Sequence, residues 1–104
     1  MKSNCHVDPV QKTVTTEEQE IVTRALFTVW GMGCPNCAMR VRNSLMILEG
    51  VVDAYVDHME GVAQVEFNPT MVAVPALIDA VAKAGNDERH KYHATLVALQ
   101  SRDD

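Results

Sequence analysis

The chain has 104 residues, 47% of them hydrophobic but only 5% aromatic, and a formal net charge of −5. That length supports one core, assembled from aliphatic side chains and Met rather than from rings. The acidity and the scatter of Lys and Arg argue against binding to nucleic acid, no run approaches the roughly 20 apolar residues that cross a bilayer, and no apolar leader opens the sequence, so a cytoplasmic protein without membrane insertion is predicted.

From Met1 to about Thr16 the sequence is polar and lacks hydrophobic periodicity, which predicts a mobile tail. In Thr15-Thr16-Glu17-Glu18-Gln19 a Thr stands three residues before an acid or Gln, the signature of a capped helix start, and a short helix through Ile21 and Val22 is predicted. Arg24 to Trp30 then alternates, with Ala25, Phe27 and Val29 on one side, and so reads as a strand ended by Gly31-Met32-Gly33. An amphipathic helix begins near Pro35, its stripe formed by Ala38, Val41, Leu45 and Leu48, and closes at Gly50. Val52, Ala54 and Val56, then Ala63, Val65 and Phe67, alternate on either side of His58-Met59-Glu60-Gly61 and predict a hairpin. After Asn68-Pro69-Thr70, a second helical stripe of Leu77, Ile78, Val81 and Ala84 stops at Gly85-Asn86. A charged loop from Asn86 to Lys91 leads to a last strand with Ala94, Leu96 and Ala98 facing inward.

The order strand, helix, strand, strand, helix, strand predicts an α+β, ferredoxin-like βαββαβ sandwich: a four-stranded antiparallel sheet with two helices on one face. These signals divide the chain into a polar tail over 1–20, a folded domain over 21–100 and a polar end over 101–104.

Two of the three cysteines stand in Cys34-Pro35-Asn36-Cys37. An odd number of cysteines in a reducing compartment points to metal or redox chemistry rather than a disulfide framework. With Cys34 in a loop and Cys37 in the opening turn of a helix, both thiols can face one point. Unpaired backbone N–H groups and the helix dipole favour thiolate there. Two soft ligands suit an ion content with low coordination, first Cu(I) and then Hg(II), whereas structural Zn(II) takes four ligands.

Gly31-Met32-Gly33-Cys34-Pro35-Asn36-Cys37, with its flanking strand and helix, resembles the heavy-metal-associated domain of copper chaperones, mercury-binding proteins and P-type metal ATPases. The resemblance covers about Arg24 to Val97. It implies Cys34 and Cys37 as the metal ligands, Met32 packed beneath the loop, no catalysis, and transfer by ligand exchange to a metal-transporting ATPase or another acceptor protein. Cu(I) is the implied cargo, with Hg(II), Zn(II) or Cd(II) as alternatives. Two positions depart from the family: Gly33 stands where Thr or Asp is frequent, and Asn86 where Tyr, Phe or Lys often lies near the metal.

Further ligands are candidates at Cys5 and His6 in the tail, and at His90 and His93 around the Asn86 to Lys91 loop. Leu26, Trp30, Tyr55 and Val97 fall on the sheet face away from the helices, where the Ile21-Val22 segment is expected to cover them. The chain is expected to be a monomer or weak homodimer. Two other classes remain open: a dithiol oxidoreductase, which would reduce a disulfide substrate catalytically, and a metal-sensing domain, whose tail would resist proteolysis once metal is bound.

Overall fold

The computed structural model describes residues 8–85 and 91–101. The ordered sequence is α1 (Thr16–Glu20), β1 (Thr23–Trp30), α2 (Pro35–Met46), β2 (Val51–Asp57), β3 (Val62–Phe67), α3 (Val74–Ala84) and β4 (His93–Ser101). The four strands form one sheet in the order β2-β3-β1-β4, every neighbouring pair antiparallel. With α2 and α3 packed on the sheet, this is the ferredoxin-like arrangement that the residue pattern predicts.

Alternation along β1 sends Ala25, Phe27 and Val29 into the core, where they meet the Val41 and Leu45 stripe of α2 and the Leu77 and Val81 stripe of α3. The small residue Ala80 lies where the helices approach each other, and its carbonyl accepts a hydrogen bond from Ser44 Oγ at 2.6 Å. α2 ends at Met46, four residues before Gly50. Gly50 turns the chain with φ 102°, and a Cβ there would stand 2.9 Å from that of Met71, so both the conformation and the space require glycine.

Two bulges change which side chains face the core. Between Val51 and Asp53 the strand β2 advances two residues while β3 advances one, from Phe67 to Glu66. The extra residue reverses the alternation, so Val51 is fully buried and Val52 is not. In β4 the same happens between Leu96 and Ala98, which pair with Phe27 and Leu26. Val97 is the inserted residue, and Ala98 lies with Leu26 on the outer face rather than inward.

The N-terminal segment is docked from Asp8 onward, not free. Val10 N–H donates to Asn43 Oδ1 at 2.8 Å, and Asn43 Nδ2 donates to the Asp8 carbonyl at 2.8 Å. The ammonium of Lys12 donates to the carbonyls of Leu48 and Val51 and sits 3.0 Å from Glu18 Oε2. Glu18, only 2% exposed, closes a capping box with Thr15 and accepts the Gly50 N–H at 2.6 Å. These contacts hold the segment beside α2 and the start of β2. The outer face of the sheet is therefore not covered as expected: Trp30, Tyr55 and Val97 are each more than half exposed, and Ile21 itself is 42% exposed.

Candidate metal site

The β1–α2 loop places the two thiols. β1 ends at Trp30, and Gly31 turns the chain with φ 99°. A Cβ on Gly31 would lie 2.2 Å from the Lys91 carbonyl oxygen, so this glycine lets the segment leading into β4 run directly against the loop. Met32 packs partly buried against the core, and Gly33 is exposed with open space around it. Cys34 is the N-cap of α2 in extended conformation, and Pro35 in the first turn gives up an N–H that no helical carbonyl would have met. The Cys34 carbonyl accepts from the N–H groups of Cys37 and Ala38, which brings Cys37 back over the N-cap Cys34.

The result is a pair of sulfurs 3.1 Å apart, close enough for one thiol to donate to the other. Cys37 is buried at 4% exposure and Cys34 is half-buried, so the pair has a fixed inner member and an accessible outer one. Burial alone would raise the Cys37 pKa. Hydrogen bonds from the Tyr92 hydroxyl, the Cys34 thiol and the backbone at Gly33 and Cys34 outweigh it and bring the thiol down to about 7. Tyr92 shifts the other way, well above its usual value, first through burial and then through the neighbouring Cys37 sulfur. Its hydroxyl thus stays neutral and, close to that sulfur, favours the thiolate form of Cys37. The nearby Arg40 guanidinium adds positive charge on the same side of α2.

Tyr92 is the site residue that sequence reading missed. An aromatic side chain does reach the thiol loop, from beyond the charged insert. Its signal was the inward alternation it shares with Ala94. His93, one residue on, points to the opposite face and stacks on Trp30, the ring centroids 5.6 Å apart and the planes 30° from parallel. The structure therefore does not bring His93 to the thiol pair, and among the described residues no third His, Cys, Asp or Glu joins Cys34 and Cys37. Cys5, His6, Asn86 and His90 lie outside the described residues.

The pattern of the Heavy-metal-associated domain matches residues 26–87, which is more than half of the chain and includes the whole thiol loop. The chain belongs to this family. Among its relatives, the "Probable copper-transporting ATPase HMA5" of Arabidopsis thaliana is 34% identical over 74 residues, 71% of this chain. The chain spans only 7% of the length of that ATPase. The "Copper chaperone CopZ" of Staphylococcus aureus is 30% identical over 66 residues, 64% of this chain and 97% of the chaperone. Among solved structures, a copper binding domain from HMA7, a P-type ATPase, superposes with a TM-score of 0.67 at 27% identity, covering 74% of this chain and 96% of that one.

Proposed function

We propose that this chain carries a soft metal ion on the thiolates of Cys34 and Cys37 and passes it on by ligand exchange, without catalysing a reaction. Cu(I) is the favoured cargo, ahead of Hg(II), Zn(II) or Cd(II), and the acceptor is a metal-transporting ATPase or another thiol-bearing protein of the cytoplasm. The observation that carries this reading is the sulfur pair itself: two soft donors 3.1 Å apart, one of them with its pKa at about 7. The copper-related names of the relatives support the choice of Cu(I).

The geometry divides the work between the two cysteines. Near neutral pH a large share of Cys37 is thiolate, and the proton held between the sulfurs leaves when an ion takes its place. Tyr92 beside Cys37 lowers the cost of carrying the thiolate there. Cys34 stands towards solvent, and the open space around Gly33 leaves room for an acceptor thiolate to approach from outside. Exchange then proceeds one ligand at a time, the outer sulfur yielding first.

Anaerobic competition titrations with Cu(I), Hg(II) and Zn(II) on the native chain and on Cys34→Ser test the reading. Cys34→Ser is expected to lose most of the affinity for the preferred ion. Unchanged affinity for every ion would refute it. A second reading, a dithiol oxidoreductase, is favoured by the same short S–S approach and the lowered Cys37 pKa. Against it, Pro75 lies in the opening turn of α3 rather than before a strand. Catalytic turnover of a disulfide substrate by the metal-free chain would establish that second reading instead.

A further inference from the structure

The outer face of the sheet carries a projection and a recess that cannot meet within one chain. Trp30, the single tryptophan, stands at the last residue of β1 with 52% of its surface exposed. Towards the other end of the same strand lies a recess of about 170 Å³, lined by Arg24, Leu26, Gln64, Ala98 and Gln100. The register explains why these five share it: Gln64 and Ala98 flank Leu26 on β3 and β4, and Gln100 stands beside Arg24. A cavity of about 150 Å³ holds benzene, so this recess has room for the ring of one aromatic side chain. Four to six steps of extended strand separate it from Trp30, about 14–20 Å at roughly 3.4 Å per residue, so the indole does not reach its own recess.

The lining suits an aromatic ring in a second way. Leu26 and Ala98 give it an apolar floor, and Arg24 gives it a guanidinium wall. Nη2 of Arg24 donates to Glu66 Oε2 at 2.9 Å, which fixes the group and neutralises its charge. Its Nε, by contrast, is covered and has no hydrogen-bond acceptor among the described residues. A covered donor left unmet costs free energy in the single chain. The face of an indole meets a guanidinium through cation–π and N–H···π contact. Projection and complement thus lie on one face of one chain, the condition under which a surface pairs with its own copy about a two-fold axis.

We propose that two copies of this chain pair through the outer faces of their sheets, Trp30 of each seated in the other's recess against Arg24. A two-fold axis between the sheets, crossing β1 near Thr28, runs the two β1 strands antiparallel and fills both recesses at once. Four strands about 4.8 Å apart and six steps from Arg24 to Trp30 give each copy a footprint of roughly 400 Å². The total, roughly 800 Å², lies below that of stable complexes, so the dissociation constant is on the order of 0.1 mM. Asp53 and Asp57 on β2 border the same face, and their like charges on two copies also hold the affinity low. The antiparallel arrangement sets the two thiol loops at opposite ends of the pair. Two copies therefore cannot share one ion, and the pairing needs neither the metal nor the thiols.

Sedimentation equilibrium of the full, reduced chain with a chelator present, from about 10 μM to about 1 mM, tests the proposal. The native chain is expected to pass from monomer to dimer across that range. Trp30→Ala and Ala98→Glu, both at exposed positions, should each weaken association at least about tenfold while circular dichroism shows the fold retained. An equimolar mixture of these two variants should associate more tightly than either alone, because a mixed pair restores one intact contact between Trp30 and a recess. Cys34→Ser should pair as the native chain does. A native chain that stays monomeric throughout, variants that pair like the native chain, or a mixture no tighter than its components overturns the proposal. Pairing that is lost in Cys34→Ser or appears only with added metal overturns it as well, since that marks a dimer bridged by an ion.

Discussion

Replacing Glu18 by Gln should destabilise the fold although the residue lies far from the thiols in sequence and outside the residues matched to the family. Its carboxylate accepts from the Thr15 N–H at 2.9 Å and the Gly50 N–H at 2.6 Å and faces the Lys12 ammonium at 3.0 Å. The Thr15 backbone hydrogen bond comes first among the causes that hold its pKa at about 2; burial, next in size, opposes it, and Gly50 and then Lys12 lower it further. A fall from 4.5 to about 2 corresponds, at about 1.4 kcal/mol per unit, to roughly 3.5 kcal/mol at most. The side chain is covered but lies shallow, and screening by nearby water reduces this to about 1–2 kcal/mol. Gln also turns an amide NH₂ towards one of the two backbone donors, and a covered N–H left without an acceptor costs about 1–3 kcal/mol. The expected loss for Glu18→Gln at pH 7 is therefore about 2–5 kcal/mol, measured by urea unfolding followed by circular dichroism. The pH dependence carries the sign. Because the folded pKa is depressed, the contribution is complete above pH 4.5 and is lost as pH falls towards 2, and the variant should lack that part of the acid profile. A variant within about 0.5 kcal/mol of the native chain at pH 7, with the same slope between pH 4.5 and 2, would refute the reasoning.

The thiolate absorbance of the metal-free chain should titrate with a midpoint near 7, and metal affinity should fall as pH drops below that value because protons then compete for the sulfur. Tyr92→Phe removes the hydroxyl that donates to Cys37, so it should move that midpoint upward with little change in the unfolding curve; an unmoved midpoint would refute the role given to Tyr92. Gly31→Ala combines a positive φ with a Cβ placed 2.2 Å from the Lys91 carbonyl, and should cost about 1–3 kcal/mol while shifting the Cys37 titration through displacement of Tyr92. Both effects are read on one sample, and a native-like titration in a stable Gly31→Ala chain would contradict the proposed contact. Leu77→Ala empties a fully buried position between α3 and the sheet and should cost about 2–5 kcal/mol in the same unfolding assay.

The sandwich was legible because each element announces itself through a period: two along Ala25, Phe27 and Val29, three and four along Ala38, Val41 and Leu45. The Cys-x-x-Cys spacing at a helix start likewise announces two thiols at one point. Where periodicity was interrupted, reading failed. The bulges at Val52 and Val97 insert one residue each and exchange the faces of the residues that follow, and no residue type at either position marks the break. The docked N-terminal segment escaped notice because its contacts are polar and distant, Val10 to Asn43 and Glu18 to Gly50, and carry no hydrophobic pattern. Tyr92 was missed because it stands beyond the charged insert, at the entrance to β4, where only the inward alternation it shares with Ala94 marks it. His93 shows the converse: adjacency in sequence to a site residue put it on the other side of the sheet, where it meets Trp30.

The position of Trp30 decides what light can report about this protein. It is the single tryptophan of the chain, about half exposed, at the last residue of β1 before the thiol loop, with its ring against His93. Its emission is already that of an indole in partial contact with water, so unfolding of the core will change the colour only modestly. Events at its own end of the sheet, such as another molecule covering the loop, will change it more. Fluorescence is thus a probe of encounters at the thiol end, and stability belongs to the far-ultraviolet signal of the backbone.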